Sequence, residues 1–437
     1  MATIAWGLLG PESLASERRT RTLGLGATVR SFNDLAVPGL GGVWFGKQLF
    51  LATAGVAIAE RVRNSGKRVL NIEVANAVEA LACWLALDFN GWNRDPRLRG
   101  AMKMRDKSDL SFAIMRKPSF YVTQPMRQAT VQPLRALGLV ESTGERFNAF
   151  VCTQLGHDFI DAVCADFKPH NRSVLDHLVG WAKGTHDDVK SSRPLTKALT
   201  PLDPMSKRAR EVLRERIVQG TGDEASRRRK ALDWVERLRI ESQPQIAWDT
   251  KPAMLDDDHW RDLHAGARFF VARDAAIALL DQIEAHIANQ AEPHMSLDAP
   301  LPKAVTNSIK LLREHAINFL DCNYDPSPGA SAGIFCRECT EQADARLVEK
   351  LLAREGRVLR QRGREIIPGV AFRGIPVTEP ETPRSPEEGG AEAEVKKTIP
   401  LPAGISHRVR NLFLLNLDLC DELNNWLGTP TESDGGN

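Results

Sequence analysis

The sequence predicts a mostly α, multidomain helical protein, on three observations. Apolar residues recur at helical spacing through most of the chain. Convincing strand signals are confined to one short pair inside residues 139–153. And 437 residues exceed what one ordinary hydrophobic core holds. The composition is that of a globular chain, with 42% hydrophobic and 26% charged residues. A formal net charge of +2 excludes a histone-like polycation, so any surface for a polyanion must be a local patch.

Taken in order, residues 1–48 are rich in glycine and turn signals, with Arg18, Arg19, Arg21 and Arg30 in or beside that stretch. Neither GxGxxG nor GxxxxGK[ST] occurs there, so the expectation is a loop-rich layer packed on the next helices of the chain. Helices are expected over 48–64 and 72–89. In the second, Val74, Ala77, Val78, Leu81, Trp84 and Leu85 form the stripe that a buried helix needs. Further helical patterns cover 172–184, 205–219, 223–240, 257–289, 303–320, 341–363 and 404–427, while Arg68 to Leu70 gives a doubtful strand signal. Residues 376–397 are rich in Pro, Glu and Gly without apolar periodicity, which reads as a disordered linker. The strongly apolar 404–427 should dock on the protein or on a partner.

The most informative order lies between Phe112 and Ile160. Pro125 is placed to begin a helix over Met126–Ala136, and Gly138 in Leu137-Gly138-Leu139-Val140 suits the left-handed residue that stops it. Leu139-Val140 opens a strand, residues 141–146 make a polar tip, and Phe147 to Val151 returns as the second strand. Thr153 then caps a helix running through Ile160.

Helix, LGLV, polar wing, strand, T-x-LG, helix: this order resembles the winged helix-turn-helix of MarR-, PadR- and ArsR-type regulators, over about residues 108–165. The resemblance implies a helix that enters the major groove of duplex DNA and a wing along phosphates. Carried over, the groove-facing residues would be Gln124, Arg127, Gln128, Thr130, Val131 and Arg135, with Arg146 as the wing's phosphate contact. Arg and Gln suit guanine and adenine edges. Lys103, Arg105, Lys107, Arg116 and Lys117 add charge upstream. Pro133 departs from the pattern, so the recognition helix is either kinked or begins near Thr130. The expected segments are then 1–100, 101–170 (the winged helix), 171–371, 372–403 (the linker) and 404–437. The N-terminal part also resembles bacterial proteins of mobile or antiviral-defence gene clusters, although no motif carries that likeness.

His315, Cys322, Cys336 and Cys339 form a second cluster, because Cys336-x-x-Cys339 has the spacing of a zinc knuckle. Structural zinc and ordinary thiols are both open readings. The basic stretches 207–216, 227–230 and 354–364 read either as solvated helix faces or as phosphate contacts. Asp256-Asp257-Asp258-His259 reads as a helix cap and acidic first turn, and His186-Asp187-Asp188 as a polar loop. No HExxH, GxSxG or P-loop appears, which leaves no positive argument for an enzyme. The apolar run from Leu49 to Ile58 is half of a membrane span and is followed by Glu60, Arg61 and Arg63, so a buried helix and no membrane partner are expected. Seven scattered cysteines and no recognisable leader point to the cytoplasm. Two functions fit these readings. One is non-catalytic binding of nucleic acid, duplex DNA preferred, as a regulator or recognition subunit. The other is an assembly subunit whose wing and last helix dock a protein partner or a second copy.

Overall fold

The computed structural model describes residues 21, 23–144, 146–186, 189–190, 192–220, 222–241, 247–372 and 399–428. The chain runs α1 (Gly26–Ala36), α2 (Gly46–Asn64), α3 (Asn71–Phe89), α4 (Ala101–Met104), α5 (Phe112–Met115), α6 (Val131–Ala136), β1 (Val140–Ser142), β2 (Phe150–Cys152) and α7 (Gln154–Cys164). It continues through α8 (Val174–Lys183), α9 (Arg193–Leu199), α10 (Lys207–Val218), α11 (Asp223–Glu241) and α12 (Asp257–Ala288). Then come β3 (Met295–Ser296), α13 (Lys303–Leu320), α14 (Ser331–Cys339), α15 (Asp344–Glu355), β4 (Leu359–Arg362), β5 (Glu365–Pro368), α16 (His407–Leu419) and α17 (Leu423–Gly428). The protein is mostly helical, and among the described residues its strands form two small antiparallel sheets, β1-β2 and β3-β5-β4.

Two compact units result: Arg30–Ala267 with Pro386–Asn437, and Met1–Val29 with Arg268–Ser385. The boundaries expected near residues 100 and 170 both fall inside the first unit, which also takes the C-terminal helices. The linker expected at 372–403 lies mostly outside the described residues, as do the tail after Gly428, Arg18 and Arg19.

The core of the first unit is the pair α2 and α3. Residues Gly46 to Ala59 of α2 are buried on every side, which explains a helix with apolar residues all round. The two helices approach closely where Gly55 meets Ala75: a Cβ on Gly55 would lie 2.5 Å from the Ala75 Cα. Glu73 supports the start of α3 by accepting from the Leu70 amide at 2.9 Å. Helices α7 and α8 pack on α2, and α16 packs on α11. Within the glycine-rich stretch read as loop, residues 26–36 form helix α1, with Val29, Phe32 and Ala36 buried along one stripe. The helix expected over 404–427 breaks at Asp421, whose φ of 65° is left-handed. Residues 68–70 precede α3 without pairing as a strand.

The second unit gathers Phe269, Phe319 and Phe335 from α12, α13 and α14 in edge-on contact. The helix expected over 341–363 is shorter. Gly356 ends α15 with a φ of 58°, and Gly363, at φ 63°, turns β4 into β5 through a two-residue loop. The basic stretch 354–364 is therefore the end of a helix and a hairpin. Its Arg354 grips Glu338 at 2.6 and 3.0 Å, and Arg364 pairs with Asp298 at 2.9 Å.

Candidate nucleic-acid interface

The start of the helix expected at Met126 is held from α3. The Glu79 carboxylate accepts the Met126 and Arg127 amides at 2.7 and 2.9 Å, and burial raises its pKa above the ordinary carboxyl range. Residues Met126–Thr130 form a 3₁₀ turn, after which α6 begins at Val131. Pro133 is thus the third residue of α6, where an amide hydrogen has no intrahelical acceptor, and the helix is short instead of kinked. The Arg216 guanidinium donates to the Leu137 carbonyl at 3.0 Å, satisfying the other end.

The two sequence signatures are tied to one another. Gly138 adopts φ 71°, and the Leu139 amide donates back to the Leu134 carbonyl at 2.9 Å. The Thr153 hydroxyl donates to the Gly138 carbonyl at 2.7 Å and accepts the Gly156 amide at 3.1 Å, so one side chain joins the end of α6 to the start of α7. Gly156 has no room for a side chain: a Cβ would stand 2.2 Å from the Leu139 carbonyl oxygen. Between them, Val140 pairs with Cys152, Glu141 with Val151 and Ser142 with Phe150. The second strand starts at Phe150, later than expected, because residues 147–149 form a 3₁₀ turn. Asn71 fixes that turn by donating to the carbonyls of Phe147 at 3.1 Å and Phe150 at 2.8 Å.

The residues carried over by resemblance divide sharply. Gln128 and Arg135 are exposed and Val131 half-buried, at spacings of three and four residues that place them on one face. Arg146 is exposed at the hairpin, and Gln124 is half-buried. Arg127 and Thr130, expected to face a groove, are instead buried. Arg127 is 7% exposed, its Nε donates to Asn76 at 2.8 Å, and its guanidinium lies 5.0 Å from the Phe147 ring centroid. Thr130 is fully buried and donates to the Arg127 carbonyl at 2.9 Å. Both hold the turn together and cannot face a groove. Upstream, Lys103 and Lys107 donate to the carbonyls of Tyr121 at 2.5 Å and Phe120 at 3.1 Å, while Arg116 pairs with Glu73 at 2.6 Å. That charge is largely committed to the fold.

Sequence reasoning missed Gln132 and Arg30. Both line a cleft of about 830 Å³ together with Gln128, Val131 and Arg135. Gln132 was legible as a fourth member of the helix face; Arg30 was not, because it comes from α1. Gly39, Gly41 and Gly42 line the same cleft from a loop that packs directly on α6 and the turn before it. A Cβ on Gly39 would meet the Ala136 Cβ at 2.6 Å, and one on Gly41 the Ala129 carbonyl oxygen at 2.7 Å. The glycines of the N-terminal stretch are therefore what lets the loop close on α6.

The other expected sites resolve differently. Cys336 and Cys339 lie within helix α14 instead of a loop knuckle, and both are buried. Burial raises the thiol of Cys336, and pushes that of Cys339 up to about 12. Cys322 is half-buried with its thiol directed at the Asn318 carbonyl, and His315 is half-buried on α13. Among the described residues no group of three or more His, Cys, Asp or Glu side chains converges as a metal site. Asp256 accepts the His259 amide at 2.7 Å and pairs with Lys230 at 2.6 Å, consistent with a helix cap. In the 227–230 stretch Arg227 pairs with Asp262 at 2.6 Å and Arg228 is buried. His186 contacts the His177 carbonyl at 3.0 Å; Asp187 and Asp188 lie outside the described residues. Among the described residues no helix is long and apolar enough to cross a membrane. Comparison with family models, with curated proteins and with solved structures gives no match to this chain.

Proposed function

We propose that the protein is a non-catalytic nucleic-acid-binding protein, acting on duplex DNA as a regulator or as the recognition subunit of a larger bacterial complex. The observation that supports this reading is the exposed face of Gln128 and Arg135 beside a hairpin carrying exposed Arg146. Neither arginine forms an ion pair among the described residues, so both are available to phosphate or base edges. Arg135→Ala combined with Arg146→Ala should weaken duplex binding at low salt by tenfold or more, at about 1 kcal/mol or above for each charged contact. The melting temperature should stay nearly unchanged, since both side chains are exposed. Unaltered affinity would refute the assignment.

A second reading, a docking subunit, draws on Val151 and Leu155, which are 44% and 39% exposed at the hairpin and the first turn of α7. Val151→Asp with Leu155→Asp would then abolish capture of a protein partner while sparing DNA binding. Loss of DNA binding alone would count against this second reading.

A further inference from the structure

We propose that the cleft beside α6 binds a small phosphorylated ligand of mononucleotide size, and that this ligand competes with DNA. The competition rests on the DNA-binding reading above; the ligand site does not. At about 830 Å³ the cleft lies within the range of small-molecule sites, and it is lined entirely by residues of one unit.

Its chemistry divides into parts that match such a ligand. Arg30 and Arg135 are exposed cations in the wall, and neither has an ion-pair partner among the described residues. They suit a phosphate, which takes a guanidinium through two parallel hydrogen bonds. Arg408 is committed differently: its side chain is 1% exposed and it pairs with Asp34, which also accepts from Gln132 at 2.8 Å. That pair fixes the wall, and Arg30 and Arg135 remain as the exposed cations of a lining in which three arginines are balanced by Asp34, Glu141 and Glu224. Val131 and Ala136 supply apolar surface for one side of a planar ring, and Gln128 supplies donors and an acceptor for its edge. Glu141 and Glu224 are acceptors for hydroxyl groups such as those of a sugar.

Gln128, Val131 and Arg135 belong both to this cleft and to the face proposed to meet DNA. An occupant would cover them, so the ligand and the duplex exclude one another. Arg30 lines the cleft alone and Arg146 lies at the hairpin alone, which makes the two sites separable.

The test is calorimetric titration of the full chain with AMP and with GMP at low salt. One saturable site for at least one of them is expected, weakened about tenfold or more by Arg30→Ala and unaffected by Arg146→Ala. No saturable binding of either nucleotide, or binding that Arg30→Ala leaves intact, would overturn the site. In the second arm, nucleotide at about the wild-type Kd should weaken duplex binding of the wild type and have much less effect on Arg30→Ala. A chain that binds AMP or GMP but no duplex would refute the DNA reading alone.

Discussion

The carboxylate of Glu79 is a direct lever on the proposed interface, because it reaches from the core helix α3 to the first two amides of the 126–130 turn. In Glu79→Gln one oxygen remains an acceptor, whereas the amide nitrogen faces an N–H donor. One of the two bonds, at 2.7 and 2.9 Å, is then lost and a buried amide is left unsatisfied. Such a loss costs about 1–3 kcal/mol. It is partly offset because the amide carries no charge into a fully buried place, where desolvation already opposes ionisation of Glu79. The expected net loss is about 1–2 kcal/mol, concentrated at the turn. Native-state hydrogen exchange should show the Met126 and Arg127 amides losing protection by about tenfold or more, with the α2 amides little changed. The sign of the pH dependence is set by the raised pKa. The native state holds this proton more tightly than the unfolded chain, so the group's contribution to stability falls as pH rises above the ordinary value of 4.5. The glutamine variant lacks that slope. Unchanged exchange at Met126 and Arg127 would refute the claim that Glu79 holds the turn.

Three further outcomes are expected. Gly156→Ala should destabilise the first unit by about 1–3 kcal/mol, since its Cβ would overlap the Leu139 carbonyl; a denaturation midpoint equal to wild type would contradict this. Burial lowers the Lys47 pKa to about 8 from 10.5, so the unfolded chain binds more protons across that window and stability gains from this group as pH rises through it. The gain is about 3 kcal/mol at full extent, and Lys47→Met should remove it; parallel pH profiles of the two proteins would refute the assignment. In thiol labelling of the native chain, half-buried Cys322 and Cys420 should react well before Cys83 and Cys339, whose thiols are buried and pushed up to about 12. Equal rates would show that those sites open to solvent.

Much of the fold was legible because it depends on local rules. The apolar run of α2, the stripe of α3, the glycine stop at Gly138 and the Thr153 cap need only neighbours in sequence. What was hidden depends on distant partners. The resemblance to winged-helix regulators would turn Arg127 toward a groove, and only the fold, which brings Asn76 and Phe147 to it, shows a buried strut. Cys336 and Cys339 have metal spacing, yet the same spacing is one helical turn, and α14 was masked by the proline-glycine loop before it. The stretch 357–364 reads as a basic helix until Gly356 and Gly363 take positive φ, after which the hairpin is the natural outcome. Helix α1 was obscured by surrounding glycines, whose purpose appears only once Gly39 and Gly41 meet α6.

The central claim, a duplex-binding face at α6 and the hairpin, is tested most directly by the salt dependence of binding to labelled random duplex DNA. With Arg135 and Arg146 on phosphates, log affinity should fall against log salt with a slope of about −2 or steeper, and the double alanine variant should lose most of that slope. A salt-independent affinity, or no binding at low ionic strength, would contradict the claim.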